Sequence, residues 1–175
     1  MFPGIAGAGL AERITKEQAE VELAAHGLSV VEVQRNAPGS WEVVPDGTMN
    51  RRITLRSTEI AVSGPAAGHD RLKTRADTSG RKVIGTLNNC SGGVTPWGTV
   101  LTAEENFNLY FSGDPAGTPE AANFERVGIK NEPIYGWWAR YFARFDIAQE
   151  PNEPNRFGWI VERSEERRVG KECRL

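Results

Sequence analysis

The chain has 175 residues, which is enough for a domain with a sizeable buried core. Its formal net charge of −2 at pH 7 argues against a nucleic-acid binder that works by neutralising phosphates. The apolar runs are only a few residues long, which excludes a membrane-spanning helix, and no obligate protein partner is evident.

The first predicted element is a helix over residues 16–26. Thr15 and Gln18 have the spacing of a capping box, the letters KEQAEVELAAH are rich in helix formers, and Gly27 is well placed to end the helix. The residues before it lack a basic start followed by a long apolar stretch, so no signal peptide is predicted in this chain.

Short strands separated by turn residues are predicted for the rest of the chain. They cover residues 28–35, 40–44, 51–55, 59–64, 81–87, 98–104, 108–111, 133–147 and 156–162. The letters NAPG predict a hairpin loop between the first two strands. Strand signals about ten residues apart favour a sandwich, a barrel or a propeller, all of which are mainly β.

The densest stretch reads NNCSGGVTPWGTVLTAEENF and places Cys90 in a glycine-rich bend ahead of a strand. That strand ends in Glu104 and Glu105. Adjacent strand residues point to opposite faces, so a single metal-facing carboxylate is expected. A bulge at the strand end is the alternative that would bring both carboxylates to one side.

Two interpretations of this stretch remain open on its residues alone. In one, Cys90 is a small buried apolar residue, and both glutamates are solvated charges at a strand end. In the other, a thiolate and a carboxylate bind metal, since thiolates favour iron or zinc and carboxylates favour harder ions. The spacing matches neither CxxC nor HxxxH, so spacing by itself does not decide between them.

Five aromatic residues lie close together further along the chain: Trp137, Trp138, Tyr141, Phe142 and Phe145. We expect them to pack in the core. The alternative is a platform on which sugar rings stack, and it supports a second function class, a non-catalytic carbohydrate-binding β module.

The last residues, 163–175, show neither strand alternation nor a core face. From Ser164 they read SEERRVGKECRL, which resembles a translated adapter or vector sequence. We expect a non-native or disordered tail that is irregular after Glu162; a natural charged tail is the alternative. Setting Cys173 aside with this tail leaves Cys90 as the lone cysteine, so no disulfide is expected in the body.

Three motifs in order, GPAAGHD, GTLNNCSGGVTPWGTVLTAEENF and NEPNRFGWIVE, resemble the PhoX-type bacterial alkaline phosphatases. The resemblance covers nearly all of residues 2–162. It implies a mainly β fold, a partial β-propeller of short antiparallel strands with one short N-terminal helix. It also implies metal-dependent hydrolysis of phosphate monoesters, with a bridged pair of iron ions and calcium as cofactors.

Site residues are carried over by position. Cys90 is the candidate bridging iron ligand, and Glu105, or failing it Glu104, is the candidate metal carboxylate. Three amides are candidates for the phosphate side of the site, each with a turn or backbone-capping role as the alternative: Asn88, Asn89 and Asn50.

The resemblance also sets the expected domain organisation. Residues 1–162 correspond to the N-terminal part of a PhoX-like propeller domain, and residues 163–175 form the tail. The family's chains run on for hundreds of residues, so this chain is expected to be a truncated and inactive part. For the full-length parent, the resemblance implies a periplasmic or extracellular location.

Overall fold

The computed structural model describes residues 10–131, 133–164 and 169–172, and there the chain is mainly β. The strands are β1 Gly27–Val30, β2 Val33–Arg35, β3 Trp41–Val43, β4 Arg51–Thr54, β5 Glu59–Ser63, β6 Lys82–Ile84, β7 Asn89–Val94, β8 Val100–Glu104, β9 Ile160–Arg163 and β10 Val169–Glu172. The α-helices are α1 Leu10–Arg13, α2 Lys16–Ala25 and α3 Ala121–Val127. Short 3-10 helices cover Asp70–Leu72, Phe107–Leu109, Pro115–Gly117, Gly136–Arg140, Ala143–Phe145 and Glu153–Arg156.

The predicted fold class is confirmed: short strands, mostly antiparallel, form small sheets, and the described residues close no barrel. None of the helices in the described part of the chain combines the length and apolar character needed to cross a lipid bilayer.

Helix α2 begins and ends where the sequence predicts. The Thr15 hydroxyl accepts from the amide of Gln18, whose side chain accepts from the Thr15 amide at 2.9 Å, so the capping box is complete. The helix gives way to β1 at Gly27, whose φ of +120° is open to glycine. A Cβ there would lie 1.9 Å from the carbonyl oxygen of Ile53, so β1 and β4 approach closely only because this residue is glycine.

Two small sheets follow the helix. Strands β1 and β4 pair antiparallel, and β2 pairs with β3 in the hairpin predicted around the NAPG loop. The predicted strand over residues 28–35 is therefore two strands in two different sheets. All residues of β2 and β3 are exposed, so this hairpin stands away from the core.

The largest sheet has six strands in the order β6-β5-β10-β9-β8-β7. All neighbouring pairs are antiparallel except β10 and β5, which are parallel. Strand β10 therefore joins the β5–β6 pair to the β7–β8–β9 group, and the sheet extends to the strand that carries Cys90.

The prediction of an irregular chain after Glu162 is wrong for β9, which continues to Arg163, and for β10. Strand β10 has a hydrogen-bonding neighbour on each side, and this pairing outweighs the absence of a hydrophobic pattern. Residues 165–168 and 173–175, including Cys173, lie outside the described residues. The non-native origin of the tail stays a prediction.

Two other predicted strands are wrong. Residues 108–111 fall in and after the 3-10 helix Phe107–Leu109, because Asn106 has a φ of +50° that turns the chain out of β8. Residues 133–147 form two 3-10 helices instead, although residue 132 lies outside the described residues. Neighbouring Trp137 and Trp138 are both buried, whereas a strand with one face on the core buries only alternate residues.

Helix α3 was not predicted, and its N-terminus shows why. Glu120 occupies the capping position without making a side-chain capping bond. Its carboxylate is bound instead to the guanidinium of Arg71, so no local sequence signal marks the helix start.

The core centres on the aromatic segment. Trp138 and Phe145 are almost completely buried, with exposed fractions of 1% and 0%. The indole nitrogens of Trp137 and Trp138 both donate to Glu22 of α2, at 2.7 and 2.8 Å. These contacts hold α2 on the core, as expected for core aromatics. Because Trp137, Trp138 and Phe145 are buried, they are not accessible as a platform on which sugar rings could stack.

A second buried cluster is ionic. Its members, called here the buried charge network, are Asp77, Arg144, Glu153 and Arg156. Arg144 Nη2 lies 2.6 Å from Glu153, and Arg156 lies 3.5 Å from Glu153 and 3.8 Å from Asp77. Arg156 also donates to Thr74 Oγ1 at 2.8 Å. The network anchors the segment NEPNRFGW beneath β6.

Candidate functional site

Cys90 lies in a β-bulge between β7 and β8. The register pairs Asn89 with Glu104 and then Gly92 with Thr102. Between these pairs β7 has two residues and β8 has one, which is the geometry of a bulge. Cys90 occupies the longer side and is exposed, so the interpretation of this residue as a buried apolar side chain is wrong.

The double glycine beside the bulge has two different environments. A Cβ at Gly92 would lie 2.6 Å from the carbonyl oxygen of Leu101, so the residue is glycine because β8 passes close by. At Gly93 a Cβ would meet no atom within 4 Å. Only the first glycine is required by the packing of the bulge.

Glu104 is buried, with 7% of its surface exposed. Its Oε1 accepts from the Thr86 hydroxyl at 2.8 Å and from the Leu87 amide at 2.9 Å, and its Oε2 accepts from the Trp159 amide at 3.2 Å. The carboxylate thus joins β8 to the chain before β7 and to the chain before β9. These three bonds give Glu104 a structural role.

Glu105 points the other way and is exposed, as strand alternation predicts. Its amide donates to the carbonyl oxygen of Asn88 at 3.1 Å, and the Asn88 side chain donates to the carbonyl oxygen of Glu105 at 3.0 Å. Its carboxylate accepts from Asn106 at 3.1 Å. The carboxylate is therefore held at the surface by the backbone beside the bulge.

The three candidate amides all bind protein atoms. Asn88 binds the Glu105 backbone and has a φ of +51°, and Asn89 donates to the Thr86 hydroxyl at 2.8 Å. Asn50 accepts from the Glu32 amide at 2.6 Å and donates to the Val44 carbonyl at 2.7 Å. The structure thus brings Asn88 and Asn89 beside the bulge, whereas Asn50 holds the loop between β3 and β4.

The donors near the bulge fit a metal centre in type but not in number. A thiol and an exposed carboxylate match the preferences of iron and of harder ions. Within residues 10–131, 133–164 and 169–172, however, no three side chains of His, Cys, Asp or Glu are grouped so that they could hold a metal ion. Cys90 and Glu105 are at most part of a ligand set.

Sequence reasoning missed the partners of Glu104. Thr86 and the Trp159 amide lie 18 and 55 residues from it along the chain. No spacing rule connects them; the signal was only that Thr86 and Trp159 fall within two of the three motifs that carry the family resemblance.

Comparison with known proteins assigns this mainly β chain to one protein family. The family model described as alkaline phosphatase PhoX matches residues 5–171, and the chain belongs to that family. A search of curated proteins finds no match.

Among solved structures, the chain is similar to Pseudomonas fluorescens PhoX in complex with vanadate, a transition state analogue. The two sequences are 42% identical, and the TM-score is 0.77. The match covers 87% of this chain and 26% of that chain. The chain therefore spans about a quarter of the length of the structure it resembles.

Proposed function

We propose that this chain is part of a metal-dependent phosphomonoester hydrolase. The similarity to the vanadate-bound PhoX carries the proposal, because 42% identity extends over 87% of this chain. Vanadate is a transition state analogue in that protein. The rival function, a sugar-binding module, has no support from the aromatic segment, since Trp137, Trp138 and Phe145 are buried.

In this proposal the metals are iron and calcium, and Cys90 and Glu105 are the ligands that this chain contributes. Both side chains are exposed; Cys90 lies on β7, and Glu105 directly follows the neighbouring strand β8. Clustered cations in such a site neutralise the phosphomonoester dianion. This chain's own residues hold the two donors in place: the bulge presents the thiol, and the backbone and side-chain hydrogen bonds between Asn88 and Glu105 hold the residue that carries the carboxylate.

Glu104 takes a positioning role in the proposal rather than a ligand role. Both of its oxygens accept hydrogen bonds from protein groups, and it lies in the interior. Asn89 contacts the same Thr86 hydroxyl and steadies the first residue of β7. A phosphate contact for Asn88, Asn89 or Asn50 stays a prediction, since each already binds protein atoms.

By the family resemblance, we propose that the parent protein is periplasmic or extracellular. We further propose that the isolated chain is inactive. Two metal donors do not build a centre, and metal binding to an incomplete ligand set is weak. Purified residues 1–175 supplied with iron and calcium should not hydrolyse p-nitrophenyl phosphate. Turnover near that of an intact PhoX, lost in Cys90→Ala, would contradict this proposal.

The activity itself is tested in a chimaera. Residues 10–164 replace the matched segment of Pseudomonas fluorescens PhoX, and p-nitrophenyl phosphate turnover and bound iron are measured. We expect an active chimaera whose iron content and kcat collapse in Cys90→Ala, while Ser91→Ala on the same bulge changes neither. A folded, active chimaera that keeps its iron after Cys90→Ala would overturn the assignment of Cys90.

A further inference from the structure

A cleft of about 570 Å³ lies on the side of the molecule formed by α3, the 3-10 helix Asp70–Leu72 and the segment NEPNRFGW. Its volume is within the range of small-molecule sites. Trp159 connects it to the bulge region, since its amide binds Glu104 while the residue itself lines the cleft. The candidate metal ligands Cys90 and Glu105 do not line it.

The charge of the described residues that line the cleft is positive. Arg71 and Arg126 line the cleft, and the described residues that line it include no carboxylate. Arg71 is paired with Glu120, which lies behind it with 6% of its surface exposed. The Arg71 guanidinium and the Asn155 amide hold the pKa of Glu120 below its usual value, against the effect of burial. Glu120 therefore stays charged and offsets Arg71, so that among the described residues lining the cleft Arg126 is the cation without an ion-pair partner.

The Arg126 guanidinium has hydrogen-bond donors that are not used within the described residues. Its Nη2 donates to the Asn123 side chain at 2.7 Å, and its other guanidinium nitrogens have no hydrogen-bond partner among residues 10–131, 133–164 and 169–172. The guanidinium is exposed at the last turn of α3. An arginine with a free edge is suited to bind the two oxygens of a carboxylate or phosphate group.

The polar wall behind these arginines is fixed in position. Asn155 accepts from Asn123 at 2.6 Å and donates to Glu120 at 3.1 Å and to the Arg71 carbonyl at 3.1 Å. A continuous chain of hydrogen bonds thus runs from Arg126 through both asparagines to Glu120 and Arg71. Donors held in this way lose little conformational freedom when a ligand binds.

Apart from His69, the rest of the lining is apolar. Leu72 and Phe157 are buried, and Phe107 and Trp159 are half-buried. The Trp159 indole nitrogen donates to the Asn155 carbonyl at 3.0 Å, which fixes the ring. A surface of this kind accommodates the flat carbon body of a ligand whose charged group lies at the arginines.

We propose that this cleft binds a small aromatic oxyanion, with its carboxylate or phosphate at Arg126 and its ring against Phe107 and Trp159. The site works without metal, so it does not depend on the proposed phosphatase centre. Guanidinium groups recognise carboxylates and phosphates alike, and the two sources of the anion are distinguished by the choice of probe.

The test is calorimetric titration of residues 1–175 in EDTA with phenyl phosphate, benzoate and benzyl alcohol. We expect both anions to bind and the neutral alcohol to bind at least tenfold more weakly; the tighter anion identifies the preferred acid. Arg126→Gln should weaken anion binding about tenfold, as expected for a charge-assisted hydrogen bond. Arg56→Gln is the matched control, because Arg56 is a similarly exposed arginine that pairs with Glu20 and does not line the cleft.

Two results would overturn the proposal. One is equal affinity for benzyl alcohol and benzoate, which would define an apolar cleft without anion recognition. The other is unchanged anion affinity in Arg126→Gln, with the folded state of the variant checked by circular dichroism. Arg126→Lys provides a second measurement, since it keeps the charge and removes the planar edge, and it should bind more weakly than the parent and more tightly than Arg126→Gln.

Discussion

The buried charge network and the bulge around Cys90 are both polar, but they complete their interactions in different ways. In the network, Arg144 and Arg156 meet Glu153 inside the molecule, and each also donates to a backbone carbonyl. At the bulge, Cys90 and Glu105 face solvent. Polar groups satisfied within the chain stabilise the fold, whereas those presented at the surface are available to bind.

The largest expected effect is on the network. Arg156→Ala leaves the buried carboxylate of Glu153 and the partly buried one of Asp77 without this cation, and loss of one partner from a buried ion pair costs about 3–5 kcal/mol. Urea unfolding followed by circular dichroism measures the loss. The control is Arg75→Ala, which removes an exposed arginine paired with Glu150 and should cost under about 1 kcal/mol. Equal losses in the two variants would contradict the structural role of the network.

The next largest effect is expected for Glu104→Ala. This substitution tests whether Glu104 has a structural role that the adjacent Glu105 does not have. It removes the acceptor of the buried Leu87 amide and of the part-buried Trp159 amide, and a buried unpaired polar group costs about 1–3 kcal/mol. Glu105→Ala should change the free energy of unfolding by less than about 0.5 kcal/mol, because the side chain is exposed. If the two alanine substitutions lower the free energy of unfolding equally, the assignment of a structural role to Glu104 and a binding role to Glu105 is wrong.

A smaller effect should appear with pH. Burial lowers the pKa of His26, which packs edge-on against Tyr110 and Trp138, although Glu22 opposes the shift. The unfolded chain therefore takes up this proton first as pH falls below about 6.5, and stability decreases from there down to the folded pKa. The decrease should vanish in His26→Phe and persist in His69→Gln, which alters the chain's other histidine. Urea unfolding at pH 7.5 and at pH 5.5 measures it.

The smallest expected effect concerns Cys90 itself. In the metal-free chain, Cys90→Ala should change stability by less than about 0.5 kcal/mol, because the side chain is exposed. In a Cys173→Ser background, the native thiol should react with a disulfide reagent as fast as it does in urea. Strong protection of the thiol in the native chain would show that it is buried. It would then contradict the description of Cys90 as a solvent-facing group like Glu105.

Local signals in the sequence were sufficient where neighbours along the chain decide the structure. The capping box of Thr15 and Gln18 predicted α2, and turn residues predicted the β2–β3 hairpin. Alternation along β8 correctly predicted that Glu104 and Glu105 face opposite ways. The resemblance of three motifs predicted the family, because all three occur in the same order in this chain and in the family.

Contacts between distant residues decided the rest. The residues around Trp138 resemble a strand in composition, but they form 3-10 turns in which Trp137 and Trp138 are both buried and both bind Glu22 of α2. Glu120, at the capping position of helix α3, is bound by Arg71, 49 residues away. The bulge that exposes Cys90 results from the register between two strands, which no property of residues 88–92 alone specifies.

Strand β10 has a consequence for the order in which the molecule forms. It pairs with β5, about a hundred residues earlier in the chain, and it joins the two halves of the large sheet. During synthesis the helix and the β2–β3 hairpin leave the ribosome long before β10 does. The edges of β5 and β9 that β10 covers therefore stay open to other strands until β10 emerges, and an open strand edge favours aggregation of the nascent chain.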